Sequence, residues 1–145
     1  MIASSAISAK VGTELPPFEL PITASLIVSA AIASRDFQPV HHDVDVARTR
    51  GSQNIFMNIL TTQGLVSRFV TDWAGPSAQL RRNAIRLGVP NYPGDTMTLT
   101  GTVDARRTCA NGDEIDVHIV GRNSLGEHVS GIVTLLMPLS DRDAA

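Results

Sequence analysis

The chain has 145 residues, of which 43% are hydrophobic, 12 are basic, 14 are acidic and one is cysteine. That size suits a single domain over residues 1–145 whose core buries roughly 70% of the unfolded surface, and the near-balanced charge without long runs argues against nucleic acid as a partner. Cys109 alone can form neither an internal disulfide nor a structural zinc cluster, which favours a reducing cytoplasm.

Taken in chain order, residues 11–21 (VGTELPPFELP) come first, where Pro16, Pro17 and Pro21 deny the backbone a helix, so an edge strand or extended arm is expected. The apolar stretch 22–34 imitates a signal-peptide end. It follows only one basic residue, Lys10, and its thirteen residues fall short of the ~20 that span a bilayer, so no membrane segment is expected. Over residues 23–35, Leu26, Ile27, Ala30, Ala31 and Ala33 fit one helical face with Thr23 as N-cap, and this helix delivers Asp36. Pro39 then breaks the pattern, and residues 36–47 (DFQPVHHDVDVA) are expected to form a structured loop.

The longest apolar-periodic segment covers residues 55–73, with Ile55, Ile59, Leu60, Leu65, Val66, Phe69 and Val70 at helical spacing and Gly75-Pro76 as its stop. Gly64 inside it should cost about 1 kcal/mol relative to alanine, which a close approach of helix to sheet would offset. Four alternating segments follow, 80–89, 96–107, 114–122 and 128–138, joined by the turn signals NYPGD, NGD and NSLG. They predict an antiparallel meander, and with the preceding helices an α+β fold in which the long helix crosses one face of the sheet.

Asp36 and His41 are the strongest chemical candidates. Five residues apart on an unbroken helix they would diverge by about 140°; a proline-containing loop lets both turn toward one point. A carboxylate and an imidazole sharing one water can take a proton from it and deliver a proton to a second atom, which is the coupled acid-base work that adding water to a substrate requires. Read alone, the same residues also fit a helix-end aspartate and a solvated loop, and His41, His42, Asp43 and Asp45 include acceptable metal ligands without a recognised metal spacing.

The segment Ser34-Arg35-Asp36-Phe37-Gln38-Pro39-Val40-His41, followed by Ala47, resembles the signature of MaoC-type (R)-specific enoyl-CoA hydratases, S-G-D-x-N-P-hydrophobic-H, five residues, then Ala or Ser. The resemblance extends through the long helix to Asn123-x-x-Gly126. The segments RDFQPVHHD, NIFMNILTTQGLVSRFVTDWAGPSA and RLGVPNYPGDT are similar to the small, MaoC-only subunits of the hydratases of bacterial steroid side-chain degradation. The resemblance implies a hot-dog fold, with an antiparallel sheet wrapped around a long central helix, and catalytic roles for Asp36 and His41. It implies an acyl-CoA thioester as substrate, hydrated to a 3-hydroxyacyl-CoA, with coenzyme A entering on the substrate and no other cofactor or metal. A bulky, steroid side-chain-like acyl group and a homodimer or hetero-oligomer with a second hot-dog subunit are further expectations.

Arg35 and Gln38 stand where the signature has glycine and asparagine, and Met57-Asn58 where most such hydratases have His-Gly. There the glycine amide polarises the thioester carbonyl; the backbone of Asn58 retains that donor, while its side chain adds bulk. Phe56, Met57, Leu60 and Leu65 suit an acyl tunnel, although such a stripe is first of all core. Arg81, Arg82 and Arg86 suit coenzyme A phosphates, but strand alternation puts Arg82 and Arg86 on one face and Arg81 on the other, which fits a solvated strand face better. Trp73 reads as a packing anchor, His118 and His128 as packing or surface residues. Two other functions fit the fold: a non-catalytic acyl-CoA-binding subunit and a thioesterase, although no G-x-S-x-G elbow is present.

Overall fold

The computed structural model describes residues 6–139. They form strand β1 (Glu14–Pro21), helix α1 (Ala24–Ala33), a short 3-10 helix (Pro39–His41), helix α2 (Val44–Thr49), helix α3 (Ile59–Ala74) and strands β2 (Gln79–Leu87), β3 (Thr96–Cys109), β4 (Gly112–Asn123) and β5 (Gly126–Pro138). The five strands make one antiparallel sheet in the order β1-β3-β4-β5-β2.

Strand alternation builds the inner face of this sheet. Met97, Leu99 and Val103 of β3, Ile115, Val117 and Ile119 of β4, and Val129, Val133 and Leu135 of β5 are all buried, as side chains two apart on a strand must share a face. Helix α3 answers with Thr62, Val66, Phe69, Val70 and Ala74, an inward stripe at three- and four-residue spacing. Each large apolar side chain removed from water here contributes roughly 1.5–3 kcal/mol, so the helix-sheet contact is the core. Trp73 packs against its edge, as a packing anchor should.

Two elements depart from the sequence expectation. Only β3, β4 and β5 form a meander; β2 lies at the far edge against β5 rather than beside β3. The link after β2 explains the detour, because Gly88 N–H and Val89 N–H bond to the His128 and Glu127 carbonyls and carry the chain along β5. The vacated edge of β3 is taken by β1, whose prolines suit an edge position. Helix α3 also starts later than its periodicity suggests. Asn58 caps it by accepting the Thr61 N–H, so Ile55 is buried in an extended lead while Ile59 and Leu60, in the first turn, are 49% and 47% exposed.

Gly64 does not mark the close approach of helix and sheet. A Cβ built there meets nothing within 4 Å, whereas one built on Gly101 of β3 would lie 3.1 Å from the Phe69 ring and 3.2 Å from Leu15. The helix therefore seats on the β3 glycine. Gly64→Ala is expected to raise the unfolding free energy of the chain by about 0.5–1 kcal/mol; chemical denaturation would measure it, and a loss of stability would show that the position needs glycine.

Candidate active site

The site begins where α1 ends. Ser34 is the C-cap, Arg35 adopts φ 58°, and the Arg35 and Asp36 N–H groups bond back to the Ile32 and Ala31 carbonyls, the paired closure of a Schellman motif. This reversal lifts the chain off the helix axis and aims Asp36 away from α1. Arg35 is the one non-glycine residue with positive φ among the described residues. The glycine of the signature at this place thus has a backbone reason.

His41 is fixed from the other side. Pro39 opens the 3-10 helix, and His41 at its end is buried, with Nδ1 2.7 Å from the Phe56 carbonyl and its ring edge-on to the Phe56 ring at 5.0 Å. A carbonyl only accepts, so Nδ1 carries a proton, and Nε2 is the ring nitrogen turned toward Asp36. That Nε2 lies 3.3 Å from Asp36 Oδ2. Ala47, also in the signature, is fully buried in α2 beneath this loop. Asp43 caps α2 by accepting the Asp45 and Val46 N–H groups, and His42 is exposed, so neither joins His41 at one point.

Asn58 connects the two halves. Its Nδ2 donates to Asp36 Oδ2 at 3.0 Å and to Ser34 Oγ at 3.0 Å, while Oδ1 accepts the Thr61 N–H and the Thr61 hydroxyl. Ser34 in turn donates to the Ala30 carbonyl. The side chain expected to crowd the thioester is therefore folded back against α1 and α3. The Asn58 hydrogen bond holds the Asp36 carboxyl below the ordinary carboxylate range, against the opposing effect of partial burial, with smaller help from the Gln38 N–H and His41. Gln38, in the place of the signature asparagine, is exposed and offers Asp36 only that backbone N–H, at 3.4 Å.

Asp36, His41 and Asn58 open onto one cavity of about 330 Å³, whose remaining walls are mainly apolar: Phe56, Met57, Ile59, Leu87, Val89 and Pro90. Of the residues proposed for an acyl tunnel, Phe56 and Met57 line it; Leu60 and Leu65 face a separate groove beside α1. Among the described residues the N–H groups of Asn58, Ile59 and Leu60 make no hydrogen bond. They are the free donors of the helix start.

His128, read from the sequence as a packing or surface residue, is packed into the wall of this cavity. Register shifts between Gly121 and Arg122, leaving His128 unpaired as a bulge, so that it and Val129 are both buried where strict alternation would turn one outward. Its Nδ1 bonds to the Val89 carbonyl at 2.6 Å and its Nε2 to the Thr62 hydroxyl at 2.9 Å. Burial lowers its pKa and outweighs the Val89 bond, which favours the charged form. A neutral His128 with both nitrogens engaged is a structural wall. Thr62 is wholly buried, which removes its hydroxyl as a nucleophile.

The arginines stay outside. Arg81, Arg82 and Arg86 are exposed on β2, Arg68 pairs with Asp72, and Arg122 with Glu127. His118 is exposed on β4.

With this geometry established, comparison with known proteins finds that residues 5–124 match the model of the MaoC like domain family. The beta subunit of the 3-oxo-4,17-pregnadiene-20-carboxyl-CoA hydratase of Mycobacterium tuberculosis is 53% identical over 127 residues, 88% of this chain and 95% of that protein. A chain in the crystal structure of the ChsH1-ChsH2 complex from Mycobacterium tuberculosis is 52% identical, with TM-score 0.83 over 89% of this chain and 98% of that one. The unliganded R-hydratase PhaJ1 from Pseudomonas aeruginosa shares the fold at 20% identity, TM-score 0.79, covering 92% of this chain and 85% of that one. The hot-dog architecture is common to all of these.

The strained turn gives a direct test. Arg35→Gly should raise stability by up to about 1 kcal/mol, because glycine accepts positive φ without a Cβ clash; thermal unfolding of the two proteins measures it, and a destabilised variant would mean the Arg35 side chain makes contacts that outweigh its backbone.

Proposed function

The chain belongs to the MaoC-like family, and from that membership we propose that it hydrates a trans-2-enoyl-CoA to a 3-hydroxyacyl-CoA, with Asp36 and His41 as its catalytic residues. The observation that carries this reading is the 3.3 Å approach of Asp36 Oδ2 to His41 Nε2 at the wall of an otherwise apolar cavity. A carboxylate and the lone pair of neutral His41 both accept hydrogen bonds, so a water with two hydrogens is the natural third member.

Held by both acceptors, that water directs an oxygen lone pair at C3. As the C3–O bond forms, the double-bond electrons move toward C2 and the thioester oxygen. One of the pair accepts a proton from the water, and the pair returns a proton to C2, so it ends as it began and only water has been added. The Asn58 backbone N–H, at the positive end of α3, is the assigned donor to the thioester oxygen; the folded-back side chain leaves that approach open. Coenzyme A arrives on the substrate, and no metal or other cofactor is needed. A coenzyme A thioester also suits the cytoplasmic setting expected from the lone cysteine, and no described helix is long and apolar enough to cross a membrane.

For the acyl group the assignment is a ring-bearing, steroid side-chain-like thioester. Its support is the 53% identity to a subunit named for a pregnadiene carboxyl-CoA, together with apolar cavity walls. A second hot-dog subunit is the assigned partner, in line with the two-component complex that holds the 52% identical chain. The fold leaves room for it: β2 is a sheet edge of nine residues without proline, unlike β1 at the other edge, and Phe37, Ile59 and Leu60 are exposed.

Loss of conjugated thioester absorbance, followed with a short linear and a steroid side-chain enoyl-CoA, tests the reading. Asp36→Asn should fold normally and lose about 10²- to 10⁴-fold in rate, the reach of a positioned acid-base group. A folded variant with near wild-type turnover would remove Asp36 from the mechanism.

A further inference from the structure

We propose that the side chain of Asn58 is a positioning residue for the acid-base pair: by donating Nδ2 to Asp36 Oδ2 it fixes that oxygen beside His41 Nε2 and keeps it a hydrogen-bond acceptor. This rests on the reading of Asp36 as catalytic and assigns it a particular state.

The geometry leaves the amide no freedom. Thr61 N–H can only donate, so the atom it meets must be Oδ1, and the atom facing Asp36 must be the amino group. One amino hydrogen goes to Ser34 Oγ and the other to Asp36, and all of the capacity of this buried side chain is then used. A rotation that released Asp36 would also break the α3 cap and strand a buried amide without its hydrogen bonds. Asp36 is thereby coupled to the start of α3, although 22 residues separate it from Asn58.

The choice of partner sets the proton chemistry. An amide nitrogen donates and cannot accept, so a protonated Asp36 could not give its hydrogen to Asn58, and the bond favours the carboxylate. The groups facing Asp36 are few. His41 comes from the 3-10 helix, the Gln38 N–H from its own loop and Asn58 from α3; across the cavity, β5 contributes His128, which is engaged with Val89 and Thr62, and neighbouring Arg35 is exposed. Asn58 is the strongest of these influences on the carboxyl.

Two variants separate this role from helix capping. Asn58→Ser and Asn58→Asp both keep an oxygen that can cap α3, yet neither keeps the amino group that meets Asp36; serine offers a single hydroxyl on a side chain shorter by one bond, and the aspartate sets a second negative charge beside Asp36. Carbon-13 NMR of the aspartate carboxyls in the full chain, with the Asp36 signal identified by its loss in Asp36→Asn, reads the ionisation without needing turnover. The expected result is that Asp36 titrates at higher pH in Asn58→Ser and higher still in Asn58→Asp. The acid limb of kcat/KM for crotonyl-CoA should move the same way, with a roughly tenfold loss near neutral pH from the missing charge-assisted bond.

An Asp36 titration unmoved in both variants, with or without a drop in thermal midpoint, would overturn the proposal and leave Asn58 as a cap. That outcome is distinct from failure of the hydratase reading, which would show as undiminished hydration by Asp36→Asn whatever the titration does.

Discussion

A carboxylate oxygen of Asp36 and the Nε2 nitrogen of His41 are held 3.3 Å apart, and much of the surrounding structure bears on that distance. Unsupported, such groups would drift apart or turn to solvent. Each is instead tied to a different part of the segment leading into α3: His41 by the Phe56 carbonyl, Asp36 by the Asn58 amide. That segment is in turn anchored to the strand link by the bond from Met57 N–H to the Asn91 carbonyl, and α3 is seated on the sheet through Phe69 against Gly101. The pair inherits its rigidity from the core.

The walls of the cavity complete the chemistry by what they lack. Apart from Asp36, His41 and Asn58, the polar side chain at the cleft is His128, which is kept neutral by burial and engaged at both nitrogens. A water or thioester entering the space therefore meets few competing donors, and in apolar surroundings the remaining electrostatic contacts are stronger than in solvent. The first turn of α3 supplies unpaired N–H groups at the same opening, which suits a developing negative charge.

What could be read from the sequence follows from how local each interaction is. The turn that carries Asp36 and His41 spans a handful of residues, so the signature exposes the pair directly, including why a glycine is usual where Arg35 stands. Strand identities followed from alternation for the same reason. The position of β2 did not, because pairing with β5 is a choice between distant edges that alternation leaves open. His128 was hidden by a bulge that breaks the two-residue period, and the contact between Asn58 and Asp36 crosses 22 residues with no motif to announce it. The periodicity of α3 overruns its start, since apolar Ile55 belongs to the buried lead, while Ile59 is exposed at the cavity and Leu60 at the groove beside α1. Gly64 stands in open space, and a helical glycine signals close approach only when something lies near it.

The central claim is that Asp36 and His41 act as one unit on one water, and the rate of the double variant tests it most directly. Enoyl-CoA hydration would be measured for Asp36→Asn, His41→Gln and their combination, each checked for folding and assayed with its hot-dog partner where assembly requires one. Residues that share a single proton-transfer task are not additive, so the double variant should fall no more than about tenfold below the slower single variant. Losses that multiply would mean that the two side chains serve separate steps, and the shared-water account would be wrong.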